Sequence, residues 1–340
     1  MNELLERESE KLARSWMQHE RPWLRDYLVA SVEDPRINLQ SILSRHFLLR
    51  VLFGAQHRLL REQEYCFAAA MNWALEAIRR CANAHERGEL IEASRRGDSG
   101  PGKITIPPWI LRIFRALPAQ ADGVAIPNYL ELALAPAGPV GPLSSINETS
   151  LDTFCALWRE ALAGASAPPI SVVEPACGSA NDYRFLHRCG MAKFLDYTGF
   201  DLCIRNVENA RDLFPGVRFE TGNVFEIAAP DKSFDLCIVH DLFEHPSLEG
   251  LHAAVGEVCR VTRERLCVSF FQMDEIPNHI VRPIEDYHWN LLSMARTREL
   301  FARHGFMAQV LHIGTFLREY AGGGQTHNPN AYTFLLSAHR

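Results

Sequence analysis

Along the first third of the chain, apolar positions recur every three to four residues. "NELLERESEKLARSW" places Leu5, Leu12 and Trp16 on one face among charges, the period of an amphipathic helix. "LQSILSRHFLLRVLFGAQHRLLREQ" and "YCFAAAMNWALEAIRRCANAHERGEL" follow, both rich in strong helix formers. "RRGDSGPGKITIPP" (95–108) and "APAGPVGPLSS" (135–145) are turn and breaker chemistry, and the second is the natural boundary. The pattern predicts an all-α region over 1–145 and a second unit over 146–340.

Beyond that boundary the period changes. Short apolar runs predict strands at Ser171–Glu174, Thr198–Asp201, Arg218–Glu220, Phe234–Val239, Leu266–Phe270, Ala308–His312 and Tyr332–Leu336. Helical patterns lie between them at Tyr183–Cys189, Ile204–Leu213, Leu248–Val261 and Thr297–His304. Such alternation is that of an α/β fold, a mostly parallel sheet covered on both faces. Ligands of these sheets sit outside the C-terminal strand ends, near the switch point of strand order.

Composition changes this picture little but narrows the function. The chain has 340 residues, 47% apolar and 22% charged, enough for two units with real cores. The first 150 residues are charge-balanced, so the net charge of −6 belongs to the rest. Neither part has the basic stripe that phosphate neutralisation demands, so no nucleic-acid partner is expected. No run is long and apolar enough for a membrane span, and the acid-rich start is not a signal peptide. Nine scattered cysteines without metal-like spacing read as free thiols in the cytoplasm.

The candidate chemistry begins at "SVVEPACGSANDYRFL", residues 171–186. A strand ends in Glu174, and a turn of small residues, Ala176, Gly178 and Ala180, leads into a helix. In a dinucleotide loop Glu174 would face pyrophosphate and repel it. A cationic sulfonium and ammonium would instead be attracted. Asp201, 27 residues on, ends the second strand and can accept ribose hydroxyls. Asn223 and Val224 follow the third strand, where an adenine can be met.

Together with "SFDLCIVHDLFEH", these stretches resemble the successive motifs of class I S-adenosylmethionine-dependent methyltransferases, of the small-molecule type with an N-terminal helical accessory domain. The resemblance covers about 150–340. It implies a Rossmann-like seven-stranded sheet and S-adenosylmethionine as cofactor. It also implies cofactor contacts from Glu174, Ala176, Gly178, Asp201, Leu202, Asn223, Val224 and His240. The chain departs from the family pattern at Ala176 and Ala180, which replace glycines, and at Asn223, which replaces the commoner aspartate.

A methyl acceptor with a hydroxyl needs a base, and histidine suits that task. His240, His245 and His288 are the candidates, His240 foremost because it ends the fourth strand. His279, Tyr287 and Trp289 lie in the same acceptor-side stretches. "HDLFEH" also invites a magnesium site, but no second carboxylate cluster supports it, and no metal is expected. The expected activity is O-methylation of a small molecule in specialised, natural-product metabolism. The alternatives are a pericyclic or decarboxylating reaction with the cofactor held structurally, or a non-catalytic binding protein. The apolar run Phe47, Leu48, Leu49, Val51, Leu52 and Phe53 looks too large for one thin helical layer, which predicts a homodimer.

Overall fold

The computed structural model describes residues 2–18, 35–96, 105–116, 153–326 and 328–339. The expected boundary at 135–145 lies outside the described residues, as does most of the expected loop at 95–108.

The first part is helical, as its periodicity requires: α1 (Glu3–Gln18), α2 (Leu39–Phe53), α3 (Arg58–Arg80), α4 (Ala84–Arg96) and α5 (Pro108–Ala116). Two of the long helical patterns are interrupted. Gly54, at φ 67°, ends α2 and returns its N–H to the Arg50 carbonyl, the left-handed stop that glycine allows. The next pattern breaks between α3 and α4. There Asn83 Oδ1 accepts the Glu86 N–H at 3.0 Å, while Glu86 accepts the Ala82 N–H at 2.8 Å. This reciprocal arrangement starts a new helix.

The second part opens with α6 (Thr153–Leu162) and continues with β1 (Ile170–Pro175), α7 (Asn181–Arg188), β2 (Leu195–Asp201), α8 (Ile204–Leu213) and β3 (Arg218–Thr221). Then come β4 (Phe234–His240), α9 (Leu248–Val261), β5 (Thr262–Phe270), α10 (Met294–Arg303), β6 (Phe306–His312), α11 (Ile313–Ala321) and β7 (Tyr332–Ala338). The seven strands lie in the order β6–β7–β5–β4–β1–β2–β3. β7 runs antiparallel to both neighbours, and the other pairings are parallel. The order reverses between β1 and β4, so the crevice at their C-terminal ends is the switch point.

Alternate residues of the central strands serve two cores. Val173, Cys237, Val239, Val268 and Phe270 face α9 and α10. Val172, Leu236 and Ile238 face the opposite way, against α6, α7, α8 and α2. Leu48 and Leu49 of α2 are buried in that second cluster, with Phe47, Leu52 and Phe53 packed beside them. The apolar run that predicted a homodimer is therefore covered largely within one chain.

α2 is also tied down by polar contacts. Glu64 of α3, 1% exposed, accepts Arg45 Nη2 and His46 Nε2 at 2.6 Å and Trp158 Nε1 at 3.0 Å. Burial alone would raise the Glu64 pKa, but the Arg45 guanidinium, then His46, hold it down at about 2. Burial keeps His46 below its ordinary value, so the ion pair is Arg45–Glu64 and His46 donates as a neutral ring. At the other end Gln40 Nε2 donates to the carbonyls of Phe270 (3.1 Å) and Tyr332 (2.8 Å), the last residue of β5 and the first of β7. The N-terminus of α2 is thereby fixed over the C-terminal edge of the sheet. No helix among the described residues is long and apolar enough to cross a membrane.

Candidate functional site

A cavity of about 510 Å³ opens at the switch point. The strand ends supply Glu174, Asp201, His240 and Ser269, the following loops supply Gly178, Leu202, Val224 and Asp241, and α2 closes it with Asn38, Gln40 and Ser41.

The loop after β1 keeps the backbone of a glycine-rich turn with fewer glycines. Ala176, Gly178 and Ala180 take φ values of 55°, 56° and 62°. A Cβ on Gly178 would stand 2.6 Å from Asn181 Nδ2, so a larger residue there would have to displace the Asn181 side chain as well as hold left-handed backbone. The loop is pinned by Cys177 N–H to the Phe200 carbonyl (3.1 Å) and Gly178 N–H to Asp201 Oδ2 (3.0 Å).

Glu174 is 3% exposed and accepts the Tyr197 hydroxyl. Burial, then the Asp182 carboxylate, push its pKa up to about 8, against the Tyr197 hydrogen bond. Asp201 accepts Cys203 N–H (2.8 Å) and Asn206 Nδ2 (3.2 Å) on Oδ1, besides Gly178 on Oδ2. Burial raises its pKa, and these donors oppose the rise. A carboxylate has about four acceptor sites, so one site on Oδ2 is left for a ligand hydroxyl rather than two.

Asn223 borders the cavity, but its amide is engaged internally. Its Oδ1 accepts Phe225 N–H (2.9 Å) and its Nδ2 donates to Ser9 Oγ of α1 (2.7 Å). Val224 and Leu202 line the wall beside it, as does Leu12 of α1. The first helix is part of this end of the site, held by Glu8, whose carboxylate accepts the Ser247 N–H and hydroxyl at the start of α9.

His240 forms the centre of the opposite side. Its Nδ1 lies 2.7 Å from Asp182 Oδ2, in the first turn of α7. Its Nε2 is buried without a partner among the described residues. Burial lowers the His240 pKa, but Asp182, then Glu174 and Asp241, outweigh it and the net direction is up. Asp182 moves the other way: burial would raise it, and His240, with smaller help from Arg45 and Ser41, brings it down. The pair has the arrangement of a base and its orienting carboxylate.

The remaining candidates separate. His245 lines the cavity, its Nε2 3.3 Å from Asp241 Oδ1 and its ring against Tyr287 and Trp289 at 5.9 and 5.0 Å between centroids. His288 is not among the lining residues; its N–H and carbonyl hold His245. His279 accepts the Ser293 N–H at 3.0 Å in a separate surface cleft with His252 and Arg296. The four polar residues of "HDLFEH" do not converge. Glu244, fully buried, turns inward to the N–H groups of Phe271 and Gln272, and burial pushes it up to about 7. Among the described residues, no three His, Cys, Asp or Glu side chains come together as a metal site. Sequence reasoning missed Asp182, Tyr197, Ser269 and the α2 residues.

Residues 172–265 match the family model described as a methyltransferase domain. No curated protein matches the chain by sequence. Among solved structures, a methyltransferase of Haloferax volcanii, in complex with the Trm112 methyltransferase activator, is 18% identical, covering 54% of this chain and 88% of its own at a TM-score of 0.39. An S-adenosylmethionine-dependent methyltransferase of Mesorhizobium loti is 15% identical over 50% of this chain and 91% of its own, TM-score 0.39. The 1,6-didemethyltoxoflavin-N1-methyltransferase of Burkholderia thailandensis, solved with bound 1,6-didemethyltoxoflavin and S-adenosylhomocysteine, is 15% identical over 55% and 76%, TM-score 0.38. At this distance these likenesses carry nothing about substrate. The chain contains a class I methyltransferase domain with its seven-stranded sheet, preceded by a helical region. S-adenosylmethionine is the cofactor of such a domain.

Proposed function

We propose that this protein methylates a hydroxyl group of a small molecule. The observation that carries the reading is the His240–Asp182 pair, at 2.7 Å, with His240 Nε2 unpartnered in a residue that lines the cavity.

The residues present fit S-adenosylmethionine. Among the described residues no Lys or Arg lines the cavity, whereas Asp182, Asp201 and Asp241 do, a field that attracts a cationic ligand, and Glu174 can ionise toward one. Glu174 would face the charged amino-acid end, the left-handed loop at Gly178 would let the backbone approach closely, and Asp201 Oδ2 would accept one ribose hydroxyl. Val224 and Leu202 would pack against the base. The cofactor, when bound, supplies a methyl group already activated on sulfur.

The chain's own work is then positioning and proton transfer. Asp182 accepts from His240 Nδ1–H, which leaves Nε2 as the acceptor nitrogen of a neutral ring. His240 Nε2 would take the proton of the acceptor hydroxyl as its oxygen accepts the methyl group that the bound cofactor would supply. α2 covers the crevice and limits water access. His245, braced by Asp241 and Trp289, shapes the acceptor wall.

The test is incubation with methyl-labelled cofactor and a panel of phenols, alcohols, amines and thiols, followed by mass spectrometry of products. Label on oxygen in the parent, lost in His240→Asn with cofactor affinity retained, supports the reading. Label appearing only on nitrogen or carbon, or product formed without label, would overturn it.

A further inference from the structure

Three strands carry aligned polar residues on one face of the sheet. His240 of β4 is the register partner of Ser269 of β5, and Ser269 is the register partner of Thr333 of β7. Register partners project to the same side, which here is the face of Val172, Leu236 and Ile238, the one α2 covers. His240 Nε2, Ser269 Oγ and Thr333 Oγ1 are all buried and all without a hydrogen-bond partner among the described residues. Folded proteins leave few buried polar atoms unpaired, and of the three only His240 and Ser269 can be met by a ligand in the cavity. His240 and Ser269 both line the cavity.

The surroundings restrict that partner further. Phe271, Tyr287 and His245 give the cavity an aromatic side. The absence of Lys and Arg from its described lining, against Asp182, Asp201 and Asp241, disfavours an anion. We propose that the acceptor is an uncharged, planar compound with oxygen substituents on neighbouring atoms. One hydroxyl meets His240 Nε2, and the adjacent oxygen hydrogen-bonds Ser269 Oγ, which makes Ser269 a specificity-determining residue. The inference rests on the methyl-transfer reading of the same cavity.

The experiment uses the full chain saturated with S-adenosylhomocysteine, so that no turnover intervenes. Catechol, phenol and benzoate are titrated in turn by calorimetry or ligand-observed NMR. Catechol should bind about tenfold tighter than phenol, the discrimination expected when one buried hydrogen-bonding group is matched or left unmatched. Benzoate should bind more weakly than either. Ser269→Ala should abolish the preference for catechol over phenol, with thermal melting used to establish that the variant is folded. Equal affinities for catechol and phenol in the parent, an undiminished preference in Ser269→Ala, binding of benzoate as tight as catechol, or no binding of any probe would each overturn the proposal. If catechol binds as expected but no hydroxyl compound accepts label from the cofactor, the proposed function fails while the subsite stands. If a monophenol is methylated as readily as catechol, the function stands and the subsite fails.

Discussion

Replacing Asp182 by asparagine removes the orienting charge from His240 with almost no change in volume. The two groups are 13% and 18% exposed, so solvent screens the interaction only weakly. A charge-assisted hydrogen bond at 2.7 Å contributes about 1.5–3 kcal/mol in favour of the protonated ring. If that stabilisation is expressed as the ring gains the acceptor's proton, its loss should slow turnover by about 10- to 150-fold at the plateau. Deleting the base altogether, in His240→Asn, should cost more, about 10²–10⁴-fold. The pH dependence supplies an independent signature. Asp182 is the first of the groups that raise the His240 pKa against burial. In the parent the neutral base forms only above that raised value, so turnover rises with pH through a limb above the ordinary imidazole range. In Asp182→Asn burial meets less opposition, the ring titrates at lower pH, and the limb moves down with it. Labelled-methyl assays across pH measure both effects, and NMR titration of ¹³C-histidine protein measures the second without any acceptor. A variant with parental turnover and an unmoved limb would refute the dyad.

Two other outcomes follow from the same geometry. Glu174, held up to about 8, carries its proton in the free protein at neutral pH, and a cationic ligand favours the carboxylate; affinity for S-adenosylmethionine should therefore increase as pH rises toward about 8 and then level, with proton release visible at pH 7 when calorimetry is repeated in buffers of different ionisation heat, whereas a flat profile would contradict the assignment. Glu64→Gln should destabilise the fold by about 3–5 kcal/mol, because it leaves the buried Arg45 charge unpaired; Glu64 is depressed to about 2 from an ordinary 4.5, so its stabilisation is present above 4.5 and lost as pH falls toward 2, and denaturant melts of both proteins across that range should converge at the acid end.

Much of the fold was legible because the central strands β1, β4 and β5 are buried on both faces and read as apolar runs. Glu174 and Asp201 were legible for a related reason: an acid closing such a run stands at a strand's C-terminal end in any parallel sheet. Asp182 was not. An acid in the first turn of a helix reads locally as a complement to the helix dipole. Only the placement of β4 beside β1 brings His240, 58 residues away, against it. Ser269 and Thr333 were hidden by the same logic, since a lone hydroxyl in a strand acquires meaning only from its register partner. α2 was ambiguous for a different reason. Its apolar residues are spread round the helix, which fits a subunit interface, but equally fits a helix packed between a sheet and other helices, as this one is. The polar residues at its start, Asn38, Gln40 and Ser41, look like an ordinary cap until their place over the strand ends is known.

The substituted glycines of the cofactor loop separate two effects that usually travel together. Ala176 and Ala180 both hold left-handed backbone, at φ 55° and 62°. An L-residue pays about 1–2 kcal/mol there, and glycine avoids this at about 0.5–1 kcal/mol in unfolded-chain entropy. On backbone grounds alone each Ala→Gly change should stabilise by up to about 1 kcal/mol. The side chains break the symmetry. Ala180 is fully buried within the cluster of Cys177, Tyr183 and Leu186. Losing its methyl removes about 0.8 kcal/mol of burial and leaves a gap, which offsets the backbone gain. Ala176 is only half-buried and borders the cavity, so its methyl has little packing to lose. Ala176→Gly should therefore raise stability by roughly 0.5–1 kcal/mol, while Ala180→Gly should be neutral or destabilising. Denaturant unfolding of the two variants side by side decides it. The reverse ordering would mean that the loop's conformation, rather than the packing of its methyl groups, differs from the one described.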